Sequence, residues 1–218
     1  MVRKCTWILG LLAAVAVALV LIPFAGAGIT GSAHDFSGET WNTDGEICAP
    51  CHTPHNADTT VTAAPLWDRA TLGTTTYTLY SSSTLDASDL SQPGGASKLC
   101  MSCHDGTISL DSFGGTTGGT DMITGDAQFT DLEGHHPVSF TYNAALATTD
   151  GELHDPTTTS SGIAGGGNID ADMLFMGTTV NDQMECASCH DVHDSASQEF
   201  LLVKSNAASA LCLTCHDK

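Results

Sequence analysis

The sequence predicts a mostly irregular fold with a few short helices and little strand. Aromatic residues make up only 6% of the 218 residues, which is thin for a side-chain core in a chain of this length. Glycine is abundant, with 22 residues. Two long stretches, 112–125 and 156–170, consist largely of Gly, Thr and Ser, a composition typical of loops. Such a chain needs a source of buried apolar surface other than its own side chains.

Few segments carry a signal for regular structure. Residues 74–79 are the best strand candidate, and residues 86–90 are expected to begin a short helix that leads towards residue 100. Asp170 and Asp172, in or beside the second Gly-rich stretch, raise the question of a Ca²⁺ site, but their spacing matches no EF-hand loop. We therefore interpret these carboxylates as solvated loop residues.

Four copies of Cys-x-x-Cys-His indicate what supplies the buried surface. The motifs are Cys48/Cys51/His52, Cys100/Cys103/His104, Cys186/Cys189/His190 and Cys212/Cys215/His216. This pattern is the attachment signature of c-type haem, in which both thiols become thioethers and the histidine becomes the proximal iron ligand. One copy would also fit a zinc half-site or a redox pair, but four copies favour four covalently bound haem c groups. The expected fold is a multihaem cytochrome c wrapped around four stacked haems, and it should not form without them.

An additional histidine follows two of the motifs. His193 lies three residues after His190, and on one helical turn the two side chains point the same way. The two axial ligands of an iron lie on opposite faces of the haem, so His193 cannot serve the haem that His190 holds. If it binds iron, it binds the iron of another haem and brings two haems close together. The same geometry recurs at His52 and His55, and a solvent-exposed histidine is the alternative at each position.

Six histidines outside the motifs can supply the four distal ligands. They are His34, His55, His135, His136, His154 and His193. We select His34, His55, His136 and His193, with His135 and His154 as alternatives. Methionine is the rival ligand, but the surplus of histidine makes it unnecessary, and Met is more often a packing residue. Two histidines on every iron leave no open position for a substrate, so we expect electron transfer and not catalysis.

Nearby carboxylates or backbone carbonyls are expected to orient the proximal imidazoles. Asp105, Asp191 and Asp217 directly follow their proximal histidines and are candidates, although surface polarity explains them equally well.

Residues 1–27 are predicted to be a cleaved signal peptide. Two basic residues near the start precede an apolar run at 7–22, and Ala25-Gly26-Ala27 matches an A-x-A cleavage site. Retention of the apolar run as a membrane anchor is the alternative. Cys5 lies in this segment and is excluded from the chemistry. After cleavage, residues 28–218 have no further segment long and apolar enough to span a bilayer, and we expect them to form one tetrahaem domain.

The motifs also reveal an internal duplication. The first and third motifs carry the additional histidine, whereas the second and fourth do not. The order predicts two haem-pair modules, at about 34–110 and 134–218.

The charge balance restricts the partners. The formal net charge is −19, with only 6 Lys and Arg residues in the whole chain. Those beyond the predicted leader are Arg69, Lys98, Lys204 and Lys218. Nucleic acid is therefore excluded as a partner. The acidity serves solubility, or it favours docking to basic redox proteins and to extracellular acceptors.

Several segments together resemble a known family. They are His34-Asp-Phe-Ser, Trp41-Asn, Cys48-Ala-Pro-Cys-His-Thr-Pro-His55 and His136-Pro-Val-Ser-Phe140, with the two later motifs. This series resembles the OmcE-type tetrahaem cytochromes of metal-reducing bacteria and their archaeal relatives, over most of the mature chain. The doubled histidine at His135 departs from the pattern and leaves the ligand before Pro137 open.

The resemblance implies a secreted subunit of an extracellular filament, or nanowire, at the cell surface. In that family the haems stack in an unbroken chain, and a histidine of one subunit completes a haem of the next. The chain would then form a head-to-tail homopolymer, with His34 as the bridging candidate. One alternative is a soluble periplasmic tetrahaem shuttle with all ligands in one chain. A less favoured alternative is a multihaem reductase.

Overall fold

The computed structural model describes residues 28–55, 57–59, 64, 66–69, 76–116, 118–177, 180–193 and 199–218. The α-helices of this part are α1 (Gly95–His104), α2 (Ala144–Asp150), α3 (Ile169–Met173) and α4 (Cys212–Cys215). The strands are β1 (Phe140–Thr141), β2 (Phe175–Met176) and β3 (Asn181–Met184). Short 3₁₀ turns lie at Phe36–Gly38, Gly125–Ala127, Cys186–Ser188, Glu199–Leu201 and Ala207–Ser209. The prediction of a mostly irregular fold with a few short helices and little strand is confirmed.

The predicted strand at 74–79 is wrong where the structure describes it. Residues 76–79 are extended but belong to no sheet, and residues 74 and 75 lie outside the described part. The side-chain amide of Gln92 takes the place of a partner strand. It accepts from the Tyr77 backbone N–H (2.8 Å) and donates to the Tyr77 carbonyl (3.0 Å).

The predicted helix start at 86–90 is also wrong, because this segment is tied to the sheet. The Asp89 carboxylate accepts from the backbone N–H and the hydroxyl of Thr141. The helix α1 begins only at Gly95.

The helix α3 begins at the end of a predicted loop, so Asp170 and Asp172 lie in a helical turn. Asp172 accepts from the Gly167 N–H (2.6 Å) and from the hydroxyl of Ser161. Within the described residues, no group of three or more His, Cys, Asp or Glu side chains could hold a metal ion by itself.

The three strands form one antiparallel sheet in the order β1–β3–β2. Phe140 pairs with Met184 and Thr141 with Gln183, while the register of β2 shifts between Phe175 and Met176. The larger buried cluster gathers around this sheet, and the motif residues Cys189 and Cys215 pack against it. Its buried members are Phe140, Tyr142, Ala147, Ile169, Met173, Leu174, Met184 and Leu211. Side-chain burial thus concentrates beside the third and fourth motifs.

A buried carboxylate joins the second and third motifs. Glu185 accepts from the Ser97 N–H in α1 (3.2 Å) and from the Ser139 hydroxyl (3.1 Å). In return the Ser97 hydroxyl accepts from the Cys186 N–H (2.9 Å). Because these groups are buried, each bond satisfies a polar atom that would otherwise be costly.

In the described part of the chain, no helix is long and apolar enough to cross a membrane. The predicted signal peptide at residues 1–27 lies outside that part.

Candidate haem-binding centre

Each Cys-x-x-Cys-His motif forms one helical turn. In three of them the histidine N–H donates to the carbonyl of the first cysteine, at Cys48–His52 (2.9 Å), Cys186–His190 (3.2 Å) and Cys212–His216 (3.0 Å). The second motif is the last part of α1. Residues three apart in such a turn share a face, so both thiols of a motif can reach the same planar ring.

The motif thiols are chemically available for thioether formation. None of the eight motif cysteines is in a disulfide. Burial raises the pKa of Cys51, Cys189 and Cys215 to about 11, because it penalises the thiolate. A thioether has no ionisable proton, so the same burial does not oppose the attached state.

Neighbouring motifs bring their thiols together in chain order. Besides burial, the Cys103 thiol raises the pKa of Cys51, and the Cys215 thiol raises the pKa of Cys189. Between the second and third motifs, the hydrogen bond of Cys100 to Cys186 raises the pKa of Cys100 and lowers that of Cys186. The first motif therefore neighbours the second, the second neighbours the third, and the third neighbours the fourth.

Backbone carbonyls fix the orientation of two proximal imidazoles. The Nδ1 of His104 lies 2.8 Å from the Ala127 carbonyl, and the Nδ1 of His190 lies 2.8 Å from the Phe200 carbonyl. A carbonyl only accepts, so Nδ1 carries the proton and Nε2 is left with a lone pair for a metal. The distal candidate His136 makes the same bond to Pro137 (2.8 Å).

The aspartates after the motifs have other partners. Asp105 accepts from the Tyr77 hydroxyl (3.0 Å) and from Thr107. Asp191 accepts from the His193 N–H (2.7 Å). Carboxylates and backbone carbonyls were both expected to orient the proximal rings. For His104 and His190, backbone carbonyls do so.

Three predicted distal histidines each face a proximal one. The ring centroids are 6.1 Å apart for His52 and His193, 6.0 Å for His104 and His34, and 6.4 Å for His216 and His136. With a metal–nitrogen bond of about 2.0–2.1 Å and ring nitrogens about 1.15 Å from the centroid, imidazoles on one iron have centroids about 6.3–6.5 Å apart. The observed separations match this requirement to within a few tenths of an ångström, so these residues fit a haem iron with two axial histidines.

His34 is held in place and is not part of a frayed terminus. The Asp35 carboxylate accepts from the N–H groups of Gly31 (2.7 Å) and Ser37 (3.2 Å). The buried amide of Asn42 donates to the carbonyls of Phe36 (2.9 Å) and Glu46 (2.8 Å).

Burial and the nearby His104 and His190 lower the pKa of His34 to about 4, so the ring is neutral, as a metal ligand must be. Its Nδ1 is buried without a hydrogen-bond partner. His34 thus pairs with His104 of its own chain, whereas the expectation that it reaches into a neighbouring subunit stays a prediction.

Comparison with known proteins bears on the C-terminal part of the chain. Residues 178–218 match the family model described as the doubled CXXCH motif. The doubled motif indicates a multihaem c-type cytochrome. It points to covalently bound haem and to haem-based electron transfer, the chemistry that the motif geometry also favours. No curated protein matches the chain.

The three histidine pairs leave His190 without an opposing ring among the described residues. The predicted distal ligand His55 is exposed and faces none of the proximal rings in those pairs. Of the two alternatives, His154 lies near the proximal His216. His135 packs edge-on against Phe129 (4.8 Å), and the backbone N–H of His154 donates to the Cys215 carbonyl (2.8 Å).

Two residues beside the first motif were missed by sequence reasoning. The indole of Trp67 lies edge-on to His52, with centroids 6.1 Å apart, and the Arg69 side chain donates to the Pro50 carbonyl within the motif. One signal was present in the sequence, because Arg69 is the sole arginine beyond the predicted leader.

Proposed function

We propose that this cytochrome carries four haem c groups, one at each motif, and conducts electrons through them as the repeating subunit of an extracellular filament. The observation that carries the proposal is the set of three histidine pairs at 6.0–6.4 Å. The haem supplies reversible one-electron chemistry at iron. The polypeptide positions each ring, supplies both axial imidazoles and keeps solvent away.

The order of the attachment sites supports a linear relay. Thiols of successive motifs are close together: Cys103 raises the pKa of Cys51, the hydrogen bond from Cys100 lowers the pKa of Cys186, and Cys215 raises the pKa of Cys189. A side chain from the third motif segment, His193, also lies opposite the proximal ligand of the first motif. Sites that share residues in this way hold their haems at short range, which favours rapid electron passage.

Iron with two histidine ligands favours electron conduction over catalysis. A histidine on each face of an iron leaves no position for a substrate. The paired rings therefore support a protein that is not an enzyme. A reductase is the alternative function suggested by His190, because an iron bound there would have an open coordination position if no further ligand bound it.

Among the residues that the structure describes, no ring lies opposite His190, which supports the filament, in which a neighbouring copy completes that site. His55 is the candidate ligand, because it stands three residues after His52 as His193 stands after His190. If His193 serves the first haem, the duplication predicts that His55 serves the third. Its exposure makes it accessible to another copy of the chain. A periplasmic shuttle would require the same ligand from within the chain.

The charge of the chain bears on its partners and location. A net charge of −19 favours docking to basic redox proteins or extracellular acceptors and disfavours nucleic acid. We place the mature protein outside the cell, with the periplasm as the alternative.

Three measurements on the secreted protein test the proposal. Intact mass spectrometry should show the mature chain plus four haem c groups, and fewer would contradict the haem assignment. Negative-stain microscopy should show fibres, whereas discrete particles would support the shuttle. A high-spin signal in the EPR spectrum of the assembled protein would instead support a reductase.

A further inference from the structure

The segment 66–69 is held against the first motif by backbone hydrogen bonds. The Thr53 N–H donates to the Leu66 carbonyl (2.8 Å), and the Asp68 N–H donates to the Cys51 carbonyl (2.9 Å). Trp67 forms an antiparallel bridge with His52. The Trp67 ring lies edge-on to the His52 ring, and Arg69 donates to the Pro50 carbonyl, so both side chains lie against the first motif.

Both of these side chains contain a buried donor without an acceptor. The Nε1 of Trp67 and the Nε of Arg69 have no hydrogen-bond partner, and the residues are 8% and 2% exposed. A buried N–H without a partner is unfavourable, because it has lost its hydrogen bond to water. Two such donors two residues apart, next to a cofactor attachment site, point to an acceptor that the polypeptide does not provide.

The charge of Arg69 is also unbalanced. A guanidinium stays protonated in proteins, and the bonds of Arg69 go to the neutral carbonyls of Pro50 (2.8 Å), Leu110 (2.9 Å) and Ser109. Neither ion pair found among the described residues involves Arg69. A buried cation without an anion is strongly disfavoured. In a chain of net charge −19, the absence of a carboxylate ion-paired with Arg69 in the described part of the chain indicates that the counter-ion comes from elsewhere.

We propose that Trp67 and Arg69 form a donor pair for a propionate carboxylate of the haem attached at Cys48 and Cys51. This inference rests on the proposed haem at the first motif. Arg69 also binds the chain that follows the second motif, through Ser109 and Leu110, so the guanidinium lies where the first two attachment sites meet. A buried cation there favours the reduced iron over the more positive oxidised iron and raises the reduction potential of that haem.

The test compares charge, donor and packing variants of the haem-loaded protein. Arg69→Gln should shift one component of the spectroscopic redox titration to more negative potential, and Arg69→Lys should recover part of the shift. Lys218→Gln removes an equally charged but exposed side chain (63% exposed) and should leave the titration close to wild type. Trp67→Phe keeps an aromatic ring and removes one donor, so it should change the propionate bands in the resonance Raman spectrum.

Peptide mass mapping separates failure of this inference from failure of the proposed function. Wild-type protein without haem on the Cys48–His52 peptide would refute the proposed attachment. If that peptide carries haem while both Arg69→Gln and Trp67→Phe leave the redox titration and the propionate bands unchanged, the donor pair is refuted. If Arg69→Gln does not load haem, Trp67→Phe decides alone, with altered propionate bands supporting the pair and unaltered bands overturning it.

Discussion

The imidazoles of His52 and His193 face each other with centroids 6.1 Å apart, although they belong to the first and third motif segments of the chain. The two residues are far apart in the sequence, so their pairing depends on the tertiary structure. The predicted helical turn shared by His190 and His193 is not observed, because His190 forms an isolated bridge with Leu202 and the chain leaves the helical turn there. The His52–His193 pair links the two halves of the duplicated sequence, in the position that a shared iron would require.

Replacement of His193 tests this link. His193→Ala should keep all covalent haem but leave one iron with a single axial histidine, because His52 would have no opposing ring. EPR spectroscopy should then show one high-spin haem that is absent from the wild type. His135→Ala is the matched control, since that ring packs on Phe129 and opposes no proximal histidine. A high-spin signal in His135→Ala and none in His193→Ala would reverse the ligand assignment.

His34→Ala separates ligation within a chain from ligation between chains. Because His34 lies 6.0 Å from His104 of its own chain, we expect one high-spin haem and normal fibres. His55→Ala should also give one high-spin haem but should abolish fibres, since His55 is the proposed ligand to a neighbouring copy. Negative-stain microscopy of both variants checks the contrast. Fibres from His55→Ala together with their loss in His34→Ala would restore the bridging role to His34.

The motif chemistry and the irregular fold could be predicted from the sequence, because both depend on local features. Cys-x-x-Cys-His fixes its own turn, and Gly-rich stretches such as 112–125 form loops wherever they lie. The partner of each proximal histidine could not be predicted, because it depends on long-range packing. His34 shows this, since the turn around Asp35 and the amide of Asn42 hold it in place. The failed strand at 74–79 has a similar cause, a side chain of Gln92 that replaces a partner strand.

The buried hydrogen bond between Tyr77 and Asp105 should contribute to stability next to the second motif. The phenol donates to the carboxylate at 3.0 Å, and both residues are buried, at 5% exposure each. Tyr77→Phe removes the donor to a charged acceptor, which should lower the free energy of unfolding by about 1.5–3 kcal/mol. Denaturant unfolding of the haem-loaded protein measures the loss. Tyr80→Phe, on the same segment, is the control, and equal effects from both variants would contradict a specific role for the Tyr77 bond.

Glu185 should make stability depend on pH in the mildly acidic range. Burial raises its pKa above the ordinary 4.5, although bonds from Ser97 and Ser139 act in the opposite direction. The folded state therefore binds this proton more tightly than the unfolded chain. Stability from this group is present below pH 4.5 and is lost as the pH rises through the raised pKa.

Glu185→Gln should remove that part of the pH dependence, while the exposed Glu39→Gln should not. Thermal unfolding of the haem-loaded variants across this range checks the difference. Identical pH profiles for wild type and Glu185→Gln would show that the carboxyl does not titrate differently in the folded state.

An experimental structure of the haem-loaded assembly that resolves the axial ligands of every iron tests the central claim most directly. It should show an iron between His52 and His193, another between His34 and His104, and a third between His136 and His216, with the fourth held by His190. Irons in which these histidines do not share a haem, or motifs without attached haem, would contradict the account.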